Sequence, residues 1–188
     1  VVLSDSVTSL GNYSFQSCSA LESVVIGNGI TSIGSYAFSG CCALPEITIP
    51  QSTTTISNYA FEGCSSLADI IFGRNMKTIG EEAFSDCNNL TTIISLATTP
   101  PVCGSQALDD INKWECVLYV PGNYISTYQT AEQWKDFFFI KEQTDNIDVF
   151  YYRDNNTVFY DLRGCPVADS KNLAKGIYII NGKKIMVK

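Results

Sequence analysis

Cysteine is the residue type with the most chemical potential in this sequence, because the chain has eight cysteines and no histidine. Thiolates can bind metal ions, and thiols can pair as disulfides. Structural zinc sites usually contain CxxC pairs and often histidine, and this chain has neither. We therefore predict no metal site and no cofactor.

Four of the cysteines recur at one constant interval, a 23-residue period, at Cys18, Cys41, Cys64 and Cys87. Side chains one period apart in a stacked repeat lie parallel, about 4.8 Å apart, whereas a disulfide requires converging Cβ atoms. We therefore expect a column of reduced, buried thiols, and a ladder of metal ions is the less favoured alternative. Cys103 and Cys116 flank an irregular loop outside the period, so a disulfide between them stays an open alternative.

The chain contains no recognisable set of catalytic residues. It has no GxSxG motif and no glycine-rich phosphate-binding loop, and histidine, the commonest general base, is absent. The pairs Glu81-Glu82 and Asp109-Asp110 are adjacent in sequence, which does not place their carboxylates across a substrate. Solvated loop charge explains them better. We predict no catalytic residues and therefore that the chain is not an enzyme.

The cysteine period is shared by three hydrophobic columns, which marks the chain as a repeat protein. The columns are Leu21, Leu44, Leu67 and Leu90; Phe15, Phe38, Phe61 and Phe84; and Leu10, Ile33, Ile56 and Ile79. A single repeat unit is too small to bury its own apolar side chains, so the units must stack on one another. We predict that these columns form the core.

Hydrophobic alternation predicts a short strand within each unit. In the second copy, Ile47 and Ile49 alternate around Thr48, and Pro50 ends the run. Residues 59–64 read as a single turn of helix. The sequence therefore predicts a repeat solenoid of short parallel strands and one-turn helices.

One motif carries a family resemblance. The pattern Ile-Gly-x-x-Ala-Phe-x-x-Cys-x-x-Leu occurs at residues 33–44 and 79–90, and at 56–67 with Ser57 in place of glycine. It resembles the BspA-type leucine-rich repeat family of surface proteins from the Bacteroidetes. The resemblance implies a leucine-rich repeat solenoid over residues 1–96 and a location at the cell surface or outside the cell.

The repeat period is lost after the fourth copy, and residues 97–143 read as an irregular C-terminal cap. Residues 116–121 predict a strand, and aromatic and small residues at helical spacing predict one helix over 123–138. A solenoid end needs a cap because its apolar cross-section would otherwise face water. Trp134 and Phe137 are expected in the cap core, with an aromatic binding platform as the less favoured alternative. The cap is similar to the terminal unit of the same family.

Residues 144–188 predict a small antiparallel β-domain of two hairpins. One hairpin joins residues 148–152 to 157–161. The other is centred on Asn181 and Gly182, because Asn-Gly between two hydrophobic runs is a strong hairpin signal.

Two motifs in this tail carry a second resemblance. Tyr-Asp-Leu-x-Gly at residues 160–164 and Lys-Gly-Ile-Tyr-Ile at 175–179 resemble the short C-terminal domain of secreted and surface proteins of the Bacteroidetes. Related tails serve in type IX secretion. The resemblance implies a sorting or anchoring role for residues 144–188.

The charge of the chain is uneven. The net charge is −7, but residues 1–143 hold 5 basic and 14 acidic side chains, and residues 144–188 hold 7 basic and 5 acidic ones. A nucleic-acid ligand requires clustered Lys and Arg, so we predict no nucleic-acid partner. No run approaches the roughly 20 apolar residues of a membrane helix, so we predict no membrane span.

The first residues align with the middle of a repeat, since Val1-Val2-Leu3 matches Val24-Val25-Ile26. The first unit lacks its opening leucine. We therefore expect the natural protein to be longer, with a signal or further repeats upstream.

Positions that alternate with the buried aliphatic residues of the strands should point outward. One such column is Val25, Thr48, Ile71 and Ile94, continued by Val2; the other is Ser23, Glu46, Asp69 and Thr92. An apolar stripe beside an acidic one suits a protein or glycan partner. The alternative is that these residues reflect only the β-propensity of a tightly stacked sheet.

These observations predict a secreted or cell-surface binding module. We expect an adhesin-like monomer that recognises a host or microbial protein or glycan through the strand face of the solenoid. The alternative is a structural stalk that holds another domain away from the cell surface.

Overall fold

The computed structural model describes residues 1–143 in full and, beyond them, the backbone of four short strands. The chain divides into two compact units, Val1–Glu142 and Gln143–Lys188. The first unit is a solenoid of parallel strands, as the repeat predicts.

Two parallel sheets run along the solenoid. The first sheet contains β1 (Ser9–Leu10), β2 (Ser32–Ile33), β4 (Thr55–Ile56), β6 (Thr78–Ile79) and β8 (Val102–Cys103), in that order. The second contains β3 (Glu46–Thr48), β5 (Asp69–Phe72), β7 (Thr92–Ser95), β9 (Val117–Val120) and β10 (Phe139–Glu142). Adjacent strands within the repeats are one period apart, so Ile47 pairs with Ile70 and Ile70 pairs with Ile93. The parallel bridge between Val2 and Val25 has the same spacing.

The phenylalanine column forms a continuous stack through the core. Phe15, Phe38, Phe61 and Phe84 follow one another at centroid distances of 5.2 Å, with interplanar angles of 3° to 8°. The predicted Leu, Ile and Phe columns are buried, except that Phe15 and Leu21 of the first coil are partly exposed. The core prediction is therefore confirmed from the second coil onward.

The one-turn helix expected at residues 59–64 is a series of tight turns instead. Tyr59 has φ 58° and Gly63 has φ 68°, and this left-handed backbone cannot continue an α-helix. Three alternate N–H groups, of Tyr59, Phe61 and Gly63, donate to carbonyls of the next coil at 2.8–2.9 Å. Bonding between coils satisfies the backbone here, so the intrahelical pattern expected from local sequence is not needed.

The helix predicted over residues 123–138 is also wrong in extent. Only α1 (Ile125–Tyr128) is α-helical, between a 3₁₀ turn at Gly122–Tyr124 and another at Trp134–Asp136. Gln133 has φ 64°, which ends any helical path before Trp134. Of the aromatic residues whose spacing predicted a longer helix, Tyr128 and Trp134 reach the same core from separate turns, whereas Tyr124 is exposed.

The cap core is closed by buried aromatic residues with satisfied polar atoms. Trp134 is fully buried and its Nε1–H donates to the carbonyl of Pro101 at 2.8 Å, and Phe137 is buried beside it. The Tyr128 hydroxyl lies 2.6 Å from Ser95 Oγ and donates to the carbonyl of Ala97 at 2.9 Å. The expectation that Trp134 and Phe137 belong to the cap core is confirmed.

The second unit contains two antiparallel strand pairs. β11 (Phe159–Tyr160) pairs with β12 (Pro166–Val167), and β13 (Gly176–Ile180) pairs with β14 (Lys183–Val187). The predicted hairpin around Asn181-Gly182 is confirmed, because Ile180 faces Lys183 in the ladder.

The other predicted hairpin, which joins residues 148–152 to 157–161, stays a prediction. Its second strand pairs with residues 166–167 downstream. Its first strand, residues 148–152, lies outside the described residues.

The central phenylalanine should matter more than the terminal one. We expect Phe61→Ala to lower the free energy of unfolding by about 3–5 kcal/mol, because it leaves a cavity between two stacked rings. Phe15→Ala removes the same atoms from a partly exposed ring with one stacked neighbour, so its cost should be clearly smaller. Urea denaturation of both variants measures this, and equal costs would contradict a core built by stacking.

Candidate binding surface

The first predicted outward column lies on the face opposite the main core, but it is less accessible than expected. Thr48, Ile71 and Ile94 are aligned by the strand register, and Tyr119 follows Ile94. Ile71 is 9% exposed and Ile94 is 5% exposed, although neither belongs to the main core cluster. Val25 is half-buried and is bridged to Val2.

The second predicted column is more polar and more open. The register brings Glu46, Asp69 and Thr92 together on three adjacent strands, and all three are half-buried. Ser23 lies one period earlier and is exposed. Val117 on β9 continues the column beyond Thr92. This face therefore presents carboxylates and a hydroxyl in register, beside the closely packed aliphatic column.

The thiol column has hydrogen bonds that the sequence did not reveal. Cys41, Cys64 and Cys87 are buried and free, and each Sγ lies 3.2 Å from a phenylalanine carbonyl in the preceding coil. The thiols therefore act as weak donors as well as small apolar groups. Cys18 is exposed, contrary to the expectation of a fully buried column.

Burial also keeps the thiols of Cys41, Cys64 and Cys87 protonated. It raises the pKa of Cys41 to about 11 and that of Cys87 to about 12, and it raises the pKa of Cys64 further. A thiolate is the form that binds metals and attacks electrophiles, so these three buried thiols are unreactive at neutral pH. No cluster of metal ligands occurs among the described residues.

Cys103 and Cys116 do not form a disulfide. Both are free thiols, Cys103 partly buried and Cys116 fully buried. Burial raises the pKa of each to about 12. The open alternative of a bridge between them is therefore decided in favour of reduced thiols.

The two carboxylates of the Asp109-Asp110 pair have separate structural partners. One carboxylate oxygen of Asp110 accepts hydrogen bonds from the Ser85 hydroxyl at 2.8 Å and from the Asp86 N–H at 3.0 Å. These bonds lower the pKa of Asp110. Asp109 forms an ion pair with Lys113 at 3.4 Å. Both aspartates therefore help to hold the turns of the last coils.

A column of stacked tyrosines escaped the sequence analysis. Tyr13, Tyr36 and Tyr59, here called the tyrosine ladder, have ring centroids 5.2 Å and 4.8 Å apart and nearly parallel planes. Their signal was present in the sequence, since they share the repeat period, but Glu82 takes the fourth position. The Tyr59 hydroxyl donates to Glu82 Oε1 at 3.3 Å.

An exposed aromatic group at the end of the solenoid was also missed. Trp114 and Phe138 are 72% and 62% exposed, with ring centroids 5.1 Å apart, and Phe139 packs edge-on against Phe138. The Lys141 ammonium lies 5.5 Å from the centroid of Phe139. No pattern in the sequence predicts this group, because Trp114 lies in a loop whereas Phe138 directly precedes the edge strand β10 and Phe139 begins it.

The parallel sheets, the regular coils and the stacked phenylalanines define a leucine-rich repeat solenoid. A family model described as the BspA type leucine rich repeat region matches residues 1–107 in six copies. The match covers more than half of the 188 residues, so the chain belongs to this family. The resemblance noted in the sequence is thus confirmed.

Solved bacterial repeat proteins have similar structures. The T. pallidum leucine rich repeat protein TpLRR is 26% identical, with 73% of this chain and 64% of that chain covered and a TM-score of 0.57. The pneumococcal vaccine antigen PcpA is 21% identical, with 77% and 42% covered and a TM-score of 0.56. A leucine-rich repeat protein from Bacteroides ovatus is 22% identical, with 86% and 46% covered and a TM-score of 0.49.

This chain spans less than two thirds of the length of each of these solved proteins. No curated protein matches it. Within the described residues, none of the helices has the length and apolar character needed to cross a bilayer.

Native thiol labelling should separate the exposed cysteines from the buried column. Without reductant and at neutral pH, iodoacetamide should modify Cys18 and Cys42 but not Cys41, Cys64 or Cys87, because the last three are buried and protonated. After unfolding in denaturant, still without reductant, all five should react. Mass spectrometry measures both states. Disulfide-linked peptides, or labelling of Cys64 in the native protein, would contradict the buried-thiol column.

The same thiols should make the solenoid less stable at alkaline pH. Burial raises the pKa of Cys87 from 9.0 to about 12, so above about pH 9 the unfolded chain loses a proton that the folded chain keeps. The free energy of unfolding should therefore fall as the pH rises from about 9 toward 11. Urea midpoints measured across this range should show the fall. Cys87→Ala removes one of these titrating thiols, so the free energy of unfolding should fall less steeply with pH in that variant. An unchanged pH dependence would contradict the assignment of the effect to the buried thiols.

Proposed function

We propose that this protein is a secreted or cell-surface binding module, adhesin-like, that recognises an extracellular protein or glycan through the outward face of its second sheet. The observation that carries the proposal is the register of Glu46, Asp69 and Thr92 beside the column from Thr48 to Tyr119. Membership of the BspA type family supports a surface location, and the similar protein PcpA is described as a vaccine antigen.

The burial of Ile71 and Ile94 divides the residues of this face into a buried group and a half-buried group with different tasks. Side chains that are 9% and 5% exposed contribute little contact area, so they form a firm base beneath the partner. Recognition then rests on the half-buried residues around them, chiefly Thr48, Thr92 and Tyr119. Tyrosine is a frequent hot-spot residue because it combines a large apolar area with a hydroxyl.

The fold gives this face a low cost of binding. β5, β7 and β9 are held by parallel ladders on both sides and β3 on one side, so little backbone freedom remains to be lost when a partner binds. Successive coils repeat similar contacts along one line, so several weak contacts can act together. The face is suited to recognition by surface complementarity without any chemical step.

The tail carries a second part of the proposal. Its resemblance to type IX secretion domains supports a role for residues 144–188 in sorting or anchoring, in a bacterium of the Bacteroidetes. Such a tail would place the solenoid at the outer surface of the cell. If no partner binds the strand face, a structural stalk is the alternative function.

Two double variants test the strand face with equal changes of charge. Thr48→Lys with Thr92→Lys places two lysines on the outward face, and Thr55→Lys with Thr78→Lys places two on β4 and β6 of the other sheet. The probe is an array of extracellular-matrix proteins and glycans. We expect the first pair to weaken the interaction at least about tenfold and the second to change it less than about twofold.

Two outcomes would overturn the proposal. If the unmodified protein binds nothing on the array, the stalk is favoured. If both double variants weaken binding equally, the partner does not use the strand face. Circular dichroism of each variant verifies that the solenoid is intact, since all four threonines are at least partly exposed.

A further inference from the structure

The tyrosine ladder is held in a fixed conformation by its backbone. Tyr13, Tyr36 and Tyr59 have φ values of 61°, 58° and 58°, and each N–H donates to a carbonyl of the next coil at 2.9–3.2 Å. The stacked rings add a second constraint, with interplanar angles of 9° and 5°. The three hydroxyl-bearing edges therefore form a preorganised row on the turn segments of successive coils.

The left-handed backbone makes tyrosine a costly choice at these positions. A non-glycine residue in this conformation is strained, and a bulky one is unusual. The two stacked ring pairs offset only part of the strain at the three positions. Glycine would avoid the strain, as it does at Gly40 and Gly63. Stacking therefore does not by itself account for three tyrosines here.

Three glutamates lie around the ladder and give it a negative environment. Burial and then the negative charge of Glu62 raise the pKa of Tyr36, and burial and then Glu81 and Glu82 raise that of Tyr59. Glu62 also accepts a hydrogen bond from the Ser39 hydroxyl at 3.2 Å. In the part of the chain with described side chains, Glu62, Glu81 and Glu82 form no ion pair.

The coils that carry the ladder lack positive side chains. The first basic residue of the sequence is Arg74, so these coils contain neither Lys nor Arg. The next coil, which carries Glu81 and Glu82, has two basic residues, Arg74 and Lys77, against four acidic ones. A partner with positive charge would therefore meet an excess of negative charge, which favours its association. A nucleic acid would be repelled by the same charges.

We propose that the tyrosine ladder, together with Glu62, Glu81 and Glu82, is a docking surface for a basic, arginine-containing segment of a partner protein. Guanidinium groups have planar forks of donors that match carboxylates and can also bond to phenol oxygens. Sugars are less suited, because they stack on open ring faces and the faces within this ladder are covered by neighbouring rings. The surface lies on the turn segments, so it is separate from the strand face.

A peptide titration tests the docking surface directly. The probe is a synthetic peptide of alternating arginine and serine, titrated into the full chain at roughly 0.15 M salt, where distant charges are screened. Peptides of the same length with lysine or glutamine in place of arginine are the comparison ligands. We expect the arginine peptide to bind several-fold more tightly than the lysine peptide and the glutamine peptide not to bind, by fluorescence anisotropy.

Isosteric variants locate the contact. Tyr36→Phe with Tyr59→Phe keeps the ring stack and removes two hydroxyls, and Glu81→Gln with Glu82→Gln removes two charges at equal size. Each double variant should weaken the arginine peptide about tenfold. Glu22→Gln with Glu115→Gln makes the same charge change at exposed positions elsewhere and should change binding less than about twofold.

Three results would overturn this proposal. One is no binding of the arginine peptide. Another is equal weakening by the Glu22 and Glu115 control, which would mean attraction by net charge alone. The third is that the double variant with Tyr36→Phe and Tyr59→Phe binds the arginine peptide as tightly as the unmodified protein does. These variants do not touch the strand face, so failure here leaves the array experiment unaffected, and the reverse also holds.

Discussion

Each coil of the solenoid is tied to the next by backbone hydrogen bonds that continue through the turns as well as the strands. The N–H of Phe38 donates to the carbonyl of Ala60 at 2.7 Å, and the N–H of Phe61 donates to that of Ala83 at 2.9 Å. Such bonds require successive coils to superimpose residue on residue, because an insertion would leave buried polar groups unpaired. The strict spacing of the side-chain columns is a consequence of this backbone requirement.

The cysteines complete the same network. The carbonyl of Phe38 accepts from the N–H of Cys41 in its own coil at 3.1 Å and from Cys64 Sγ of the next coil at 3.2 Å. The thiol therefore bonds to the second lone pair of a phenylalanine carbonyl, which the backbone leaves free. The thiols of Cys41, Cys64 and Cys87 all make this bond. This explains a polar atom in a column that otherwise behaves as packing, and serine in its place would bring a more strongly hydrated hydroxyl into the core.

The repeat period was enough to predict the solenoid, the buried columns and the absence of disulfides within the cysteine column. It was not enough to predict the turns at residues 59–64, because the local preference for helix yields to hydrogen bonds from the neighbouring coil. The cap helix was overestimated because a left-handed residue at Gln133 interrupts the aromatic spacing. Both errors come from interactions between segments that a single stretch of sequence does not contain.

Accessibility was the least predictable property of the candidate surface. Alternation predicted that Ile71 and Ile94 point outward, but it could not show that their side chains would be only 9% and 5% exposed. Tyr119 was missed because the spacing from β7 to β9 is longer than the repeat period. The tyrosine ladder was missed for the opposite reason, since it keeps the period but changes residue type at Glu82.

The equal geometry of the inner coils has a consequence for the evolution of length. Phe38 and Phe61 lie 5.2 Å apart, as do Phe61 and Phe84, so the surface between any two inner coils is nearly interchangeable. Recombination that removes or duplicates one whole period, at whatever point the crossover falls, would rejoin matching surfaces and keep the fold. Such a gene can lengthen or shorten the solenoid without new substitutions in the core. The cap would still cover the last coil of the longer or shorter solenoid.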